Sequence, residues 1–394
     1  MSDRARYLEL SVSQDLNRKM VFIGGPRQVG KTTLARRISA AFHDPAYLNW
    51  DNSHHRLAIK NARWKPETDL LTLDEIHKFP RWKNLIKGIW DTRDEKLRLI
   101  VTGSSRLDIF RRGGDSLQGR YHFYRLHPFS LREMNNLPPP SVLSKPDFTA
   151  KPFPDPLPGM DKLLRWGGFP EPLFSNSDRL WRRWRRERFE RVFREDIRDV
   201  EAIRALGQLE LLATMLPDRV CSPLSVNSLC EDVETSPKTM KAWLDLLCRN
   251  YYLFRVPPWH RRIDRALKKE SKYYFWDWSE APEGGPRFEN LVACHLLKWC
   301  HYVTDAFGWR VDLYYVRDRE KRETDFLLAW EQTPLALVEC KLRDAGSNTP
   351  LKYFAGKLGL SSAFLVTLDD TADYLDRAGN IRVIPAARFL AGFA

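Results

Sequence analysis

The sequence predicts an α/β protein of two or three domains: a parallel-sheet core, a helical middle, and a second α/β domain at the carboxyl end. Three observations predict it. An apolar run at residues 19–24 ends in a glycine-rich turn that opens a helix; a second apolar run, 70–73, ends in the acidic pair Asp74-Glu75; and from Phe288 a helical apolar stripe gives way to three strand-like runs.

The chain has 394 residues, 43% of them hydrophobic and 12% aromatic, which is too long for one core and too apolar for disorder. No run approaches the roughly 18 apolar residues that span a bilayer, and the polar start MSDRARYLELSVSQDLNRKM lacks the charged-then-apolar order of an export signal. A cytosolic protein with no membrane partner is expected. Cys221, Cys230, Cys248, Cys294, Cys300 and Cys340 form no C-x-x-C pair and no zinc-ribbon spacing, so they read as buried thiols. Lys and Arg number 64 against 51 Asp and Glu, a formal charge of +13. Such a balance favours a polyanion, because neutralised phosphates release counterions.

Lys19-Met20-Val21-Phe22-Ile23-Gly24 has the character of a buried parallel strand. The turn after it, Gly25-Pro26-Arg27-Gln28-Val29-Gly30-Lys31-Thr32, fits G-x-x-x-x-G-K-[ST], and Thr33 continues into a helical pattern. Glycines are needed there because backbone N–H groups close on phosphate only where no Cβ intervenes, while the helix presents its positive end. Residues 25–33 are therefore expected to cradle ATP, with Lys31 reaching the β and γ phosphates and Thr32 holding Mg²⁺.

Leu70-Leu71-Thr72-Leu73-Asp74-Glu75 follows at a distance that allows one intervening βα unit. Asp74 is expected to bind Mg²⁺ through water, and Glu75 to orient the attacking water; alone, such a pair more often marks a helix start. A third strand, 97–101, runs into Thr102-Gly103-Ser104-Ser105. There Ser104 or Thr102 senses the γ-phosphate, or the serines simply cap a helix. Arg120, after Gly119 in a polar loop, is what transition-state charge on phosphorus requires, in cis or in trans.

The segments GPRQVGKTTL, LLTLDEIHKFPRW, LIVTGSS and SLQGRYHFYRLHPFSLREM together resemble the AAA-superfamily ATPases of bacteria and archaea that are fused to a C-terminal domain of unknown function. The resemblance covers nearly the whole chain, strongest at the P-loop and weaker toward the C-terminus. It implies an AAA-type core, a winged helix and a restriction-endonuclease-like end. On that division residues 1–137 form the ATPase core, 138–204 a proline-rich excursion and basic helical segment, 205–260 the winged helix-turn-helix, and 261–394 the nuclease-like domain. Gly167-Gly168-Phe169-Pro170 looks like the family's bend between core and helices.

Residues 138–158 carry Pro138-Pro139-Pro140 and further prolines without periodicity. Residues 179–194 hold eight arginines, with Trp181, Trp184, Phe189, Val192 and Phe193 at roughly helical spacing. This basic amphipathic helix reads as a solvated arginine face over packed aromatics, or as a contact for nucleic-acid phosphates. Nothing else in the chain suggests lipid. Val226, Leu229, Cys230 and Val233 mark one helix; Ser236 and Pro237 open a second, with Met240, Trp243, Leu244 and Leu247 inward and Lys238, Thr239 and Lys241 outward. With a strand at 251–256, this resembles a winged helix-turn-helix, a module that reads a major groove or serves as a protein contact or ATPase lid.

Phe288, Leu291, Val292, Leu296 and Trp299 stripe the next helix, with Glu289 beside them, and strands are expected over 311–316, 324–330 and 335–341. Glu339 and Lys341 share a strand face, and Asp325 begins the neighbouring strand. Two carboxylates can hold a hard cation while a lysine helps to deprotonate its water. Glu289 would complete a cage for a second Mg²⁺ or Mn²⁺. The set Glu289, Asp325 and Glu339-x-Lys341 is similar to the PD-(D/E)xK nuclease motif, with Thr324 in place of its proline. That similarity implies a metal-dependent nuclease with Asp325, Glu339 and Lys341 catalytic; the plain alternative is a solvated same-face ion pair.

Two functions follow. One is an ATP-driven, DNA-directed machine. The other is an ATP-dependent switch that binds partner proteins, with the carboxyl domain catalytically inactive. An arginine used in trans would require a homo-oligomer, whereas relatives with signalling roles rest as monomers.

Overall fold

A computed structural model describes residues 4–103, 117–148, 153–197, 206–260, 270–344, 346, 348–376 and 380–394. The chain divides into two compact units, Ala5–His127 and Pro128–Ala394, the second also taking in the residues up to Arg4.

The first unit is a five-stranded parallel sheet, β1 (Met20–Gly24), β2 (Pro45–Asn49), β3 (Leu70–Asp74), β4 (Arg98–Thr102) and β5 (Tyr121–Arg125), in the order β2-β3-β4-β1-β5. Helices α1 (Glu9–Asp15), α2 (Lys31–Ser39), α3 (Ser53–Lys60) and α4 (Trp82–Asp91) belong to it. Every residue of β1 and β3 is buried, as a parallel sheet covered on both faces demands. Alternation along the strands sends Met20, Phe22, Leu71, Leu73, Leu99 and Val101 into one core with Trp82, Ile86 and Ile89 of α4. Register then sets the site: Asn49 pairs with Asp74, Asp74 with Thr102, and Thr102 with Ile23, so four strands end level beside the glycine-rich turn.

The second unit begins with α5 (Leu131–Met134), α6 (Met160–Trp166), α7 (Pro170–Ser175) and α8 (Asp178–Arg191), which continues as a π-helical turn over Val192–Ile197. Next come α9 (Leu206–Met215), α10 (Val226–Val233) and α11 (Pro237–Arg249), then an antiparallel ribbon of β6 (Leu253–Val256) and β7 (Lys272–Phe275). Ser225 and Ser236 cap α10 and α11 by accepting from Ser228 N and Thr239 N.

The long helix α12 (Gly285–Phe307) leads into β8 (Val311–Arg317), β9 (Glu323–Trp330), β10 (Thr333–Lys341), α13 (Thr349–Leu358), β11 (Ala363–Thr367), β12 (Tyr374–Asp376), β13 (Ile381–Pro385) and α14 (Ala386–Ala391). Their sheet is mixed, ordered β12-β13-β11-β10-β9-β8. It joins an antiparallel meander, β8 to β10, to parallel β10, β11 and β13, with β12 antiparallel at the edge.

α12 is longer than its apolar stripe predicts and is buried on more than one side, with Asn290, His295 and Lys298 as deep as the apolar residues. Each polar group is satisfied: Asn290 bonds the backbone of Phe275 in both directions, His295 Nε2 accepts from Leu131 N at 3.2 Å, and Lys298 donates to Pro128 O at 3.0 Å and pairs with Glu133. These bonds tie residues 128–137 to the second unit, and the division between the two compact units falls after His127. The divisions expected at 204/205 and 260/261 lie inside that unit. Among the described residues no helix is long and apolar enough to cross a membrane.

Candidate active site

Three backbone positions shape the turn after β1: Gly25 (φ 146°), Gln28 (φ 61°) and Gly30 (φ 99°) are left-handed or beyond, where glycine is favoured and other residues are strained. A Cβ at Gly25 would lie 2.4 Å from Leu126 O. Pro26 and Val29 are buried, Arg27 and Gln28 half-buried, and Thr33 is exposed on α2. The buried Lys31 ammonium lies over the loop, donating to Gly25 O at 3.0 Å and Pro26 O at 2.8 Å. Behind the loop, the buried Arg6 guanidinium donates to Val29 O at 2.8 Å and His127 O at 2.5 Å, tying the turn to the end of the sheet's edge strand.

Asp74 is the focus of the site. Its Oδ2 accepts from Thr32 Oγ1 at 2.9 Å, Tyr47 OH at 2.5 Å and Asn49 Nδ2 at 3.5 Å, and its Oδ1 accepts from Thr102 Oγ1. Burial, then the bond to Asp74, raises the Tyr47 pKa, so the phenol stays a donor. Thr32 and Asp74, the pair expected to hold Mg²⁺, are thus already side by side, and the hard oxygen set fits that ion. Glu75 stands next to them in a left-handed conformation (φ 57°), held by Glu75 N donating to Thr102 O at 3.0 Å. Its carboxylate meets Lys78 at 3.4 Å and His77 at 3.6 Å. A strained non-glycine residue kept at the end of β3 marks a site that the surrounding fold over-determines.

A second constellation lies in the other unit. Glu289 of α12, Asp325 of β9, and Glu339 and Lys341 of β10 come together as the sequence predicts, but around a residue that no sequence pattern singles out. Lys272, 1% exposed at the start of β7, puts its ammonium 3.1 Å from Glu289, 2.9 Å from Glu323 and 3.2 Å from Asp325. Tyr274 OH donates to Glu289 at 2.7 Å, Cys340 N to Asp325 Oδ2 at 2.9 Å, Asp325 N to Glu339 at 3.3 Å, and Lys341 to Glu339 at 2.9 Å. Burial and the Asp325 charge push Glu289 up to about 8 and Glu339 up to about 7, against the pull of Lys272 and Lys341 respectively. Burial works against the Lys272 ammonium, but Asp325, Glu289 and Glu323 outweigh it and hold its pKa above the usual lysine value.

The expected second Mg²⁺ or Mn²⁺ does not fit this arrangement, because a protein cation already satisfies the carboxylates. Among the described residues no group of three or more His, Cys, Asp or Glu side chains is arranged to hold a metal ion.

Comparison with known proteins agrees with the geometry of the first unit. Residues 17–135 match the model of an AAA domain. Residues 158–280 match a domain of unknown function, DUF8612, and residues 284–389 another, DUF4143. An uncharacterized protein of Mycobacterium bovis and one of Mycobacterium tuberculosis are each 22% identical over 264 residues, covering 66% of this chain and 54% of theirs. The chain therefore spans about half the length of the curated relatives it matches. Among solved structures, the Walker-type ATPase of Pyrococcus abyssi aligns with 73% of this chain and 93% of its own at 13% identity and a TM-score of 0.37. RuvB of Thermotoga maritima aligns with 64% and 87% at 17% identity and a TM-score of 0.30.

Within the AAA domain, one expectation changes. Arg120 precedes β5, whose register pairs Tyr121 with Met20, and Met20 N donates to Arg120 O at 3.2 Å. It therefore sits at the amino edge of the sheet, about 16 Å along the strands from the loop, and pairs there with Asp91 at 2.8 Å. A cis finger is too far from the phosphates. Ser104 lies outside the described residues, while Thr102, its alternative, bonds Asp74. Tyr47 and Asn49 are additions: β2 is mostly half-buried and lacks an apolar run, so only register with β3 reveals them.

Proposed function

We propose that this chain hydrolyses ATP at its AAA domain and uses the reaction to act on DNA. The observation that carries the first half is the Asp74 carboxylate, fixed by Thr32, Tyr47, Asn49 and Thr102 beside the P-loop. In this reading the loop amides and Lys31 bind the phosphates. Thr32 and Asp74 hold Mg²⁺, which neutralises phosphate charge, and Glu75 orients the attacking water. Arg120 stabilises the transferring phosphoryl group only from a neighbouring copy, so the rate per chain should rise with protein concentration.

DNA direction is supported by α8 and the ribbon-bearing segment. Arg179, Arg182, Arg183 and Arg186 are exposed at one-face spacing, while Trp184 is buried and Arg188 is withdrawn to Glu280 and Tyr251 O. α10, α11 and the β6–β7 ribbon follow the order of a winged helix, with Lys238 and Lys241 exposed on α11. Lys31→Ala should abolish hydrolysis, and unchanged turnover would refute the ATPase half. Duplex affinity should fall steeply with salt, and replacing Arg182 and Arg183 by Ala should lower the slope by about one per lost phosphate contact. Absence of duplex binding would end the DNA half.

The second reading is an ATP-dependent switch for partner proteins whose carboxyl domain, nuclease-like in the order of its motif, is inactive. The placement of Lys272 among the carboxylates favours inactivity of that domain. An ATPase rate that duplex DNA leaves unchanged would favour the switch.

A further inference from the structure

We propose that Lys272 stands in for a divalent cation, latching the β6–β7 ribbon onto the carboxyl-terminal domain and closing its carboxylate cluster to metal. The inference goes beyond the ATPase reading and does not rest on it.

Lys272 lies in the segment matched over 158–280, and β7 pairs with β6 in a two-stranded sheet of its own. Its three partners, Glu289, Glu323 and Asp325, belong to the segment matched over 284–389. An ammonium has three donors and no acceptor. Here each carboxylate takes one contact, at 3.1, 2.9 and 3.2 Å, so all three donors are occupied. The acids are held from behind as well: Tyr274 OH fixes Glu289, and Cys340 N fixes the second oxygen of Asp325. Three carboxylates are the ligand type a hard cation takes, but here they are spread around an ammonium and, as they stand, are not arranged to hold a metal ion. The chain supplies that charge itself, from an element outside the domain's mixed sheet. A metal entering the cage would have to displace the lysine, leaving a buried ammonium unpaired, which is strongly unfavourable.

The test is Mn²⁺ binding to the nucleotide-free full chain, read by loss of the free-ion electron paramagnetic resonance signal and by thermal melting. Native protein and Lys272→Arg should bind no Mn²⁺ that depends on Asp325. Lys272→Met should gain one Mn²⁺ site per chain that the native chain lacks, should melt higher with Mn²⁺, and should lose both effects when Asp325→Asn is added. Native protein whose Mn²⁺ site vanishes with Asp325→Asn would overturn the proposal. So would a folded Lys272→Met chain that binds no Mn²⁺. If Lys272→Met is unfolded without metal, Mn²⁺ should restore its melting transition; failure to restore it at any concentration would count equally against the stand-in.

Discussion

Thr32 Oγ1 donates a 2.9 Å hydrogen bond to Asp74 Oδ2, joining the first turn of α2 to the end of β3. The contact makes the hydroxyl and the carboxylate one unit for a hard cation, with Tyr47 and Thr102 setting the carboxylate's orientation. Asp74→Asn keeps the shape and removes the charge, so ATP turnover should fall by about a hundredfold or more. Tyr47→Phe removes one orienting bond of four and should raise the Mg²⁺ concentration needed for half-maximal rate by about fivefold. Steady-state hydrolysis across a Mg²⁺ series distinguishes the two; a full-rate Asp74→Asn enzyme would refute the assignment.

Two glycines of the AAA domain make opposite predictions. At Gly25 the backbone (φ 146°) and the 2.4 Å approach of a Cβ to Leu126 O both forbid a side chain. Gly25→Ala should therefore lose ATP binding and destabilise the unit by more than about 1 kcal/mol. Gly88 is exposed inside α4, with nothing within 4 Å of an added Cβ. Gly88→Ala should leave binding intact and stabilise by about 0.5–1 kcal/mol. Denaturant titration with a fluorescent nucleotide reads both; equal effects at the two sites would contradict the steric account.

Arg6 predicts a coupling between stability and nucleotide affinity. Its guanidinium, 6% exposed, donates to Val29 O in the loop and His127 O at the end of the unit. Arg6→Gln retains a donor but cannot span both carbonyls. It should cost about 3 kcal/mol, since bonds from charged groups are worth about 1.5–3 kcal/mol each, and ATP affinity should weaken with it. A variant that melts lower yet binds ATP as the native chain does would show that Arg6 supports the fold but not the loop.

The chemistry of the first site was legible because its residues are local to the runs that announce them: β1 leads directly into Gly25–Lys31, and β3 ends on Asp74. Arg120 was legible as a residue type but not in position, since only the pairing of Tyr121 with Met20 decides which sheet edge it occupies. Lys272 was illegible for a different reason. A lysine opening the aromatic run Lys272-Tyr273-Tyr274-Phe275 reads as a strand end in water, and nothing local says that Glu289, Glu323 and Asp325 will converge on it. The same holds for α12, where an apolar stripe gave the helix but not the polar partners that bury its other sides.

His295 yields a prediction with a definite sign. Burial, with a smaller contribution from the Lys298 charge, lowers its pKa from 6.5 to about 4, against the Nδ1 hydrogen bond to Leu291 O. Nε2 accepts from Leu131 N, so the folded protein holds the neutral ring. Between pH 6.5 and 4 the unfolded chain binds the proton more readily, and stability must fall as pH falls through that window. The stability is fully present above pH 6.5, and about 3 kcal/mol of it is lost by pH 4, since each tenfold change in proton affinity is worth about 1.4 kcal/mol. Glu289 and Glu339, whose pKa values are raised, act in the opposite sense, losing stability as pH rises from about 4.5 toward 7 and 8. The clean measurement is therefore a difference. His295→Gln keeps an acceptor for Leu131 N and removes the titration, so its stability should trail the native chain at pH 7.5 and draw level or exceed it by pH 5. Parallel pH profiles for the two proteins would mean that His295 takes up its proton in the folded state.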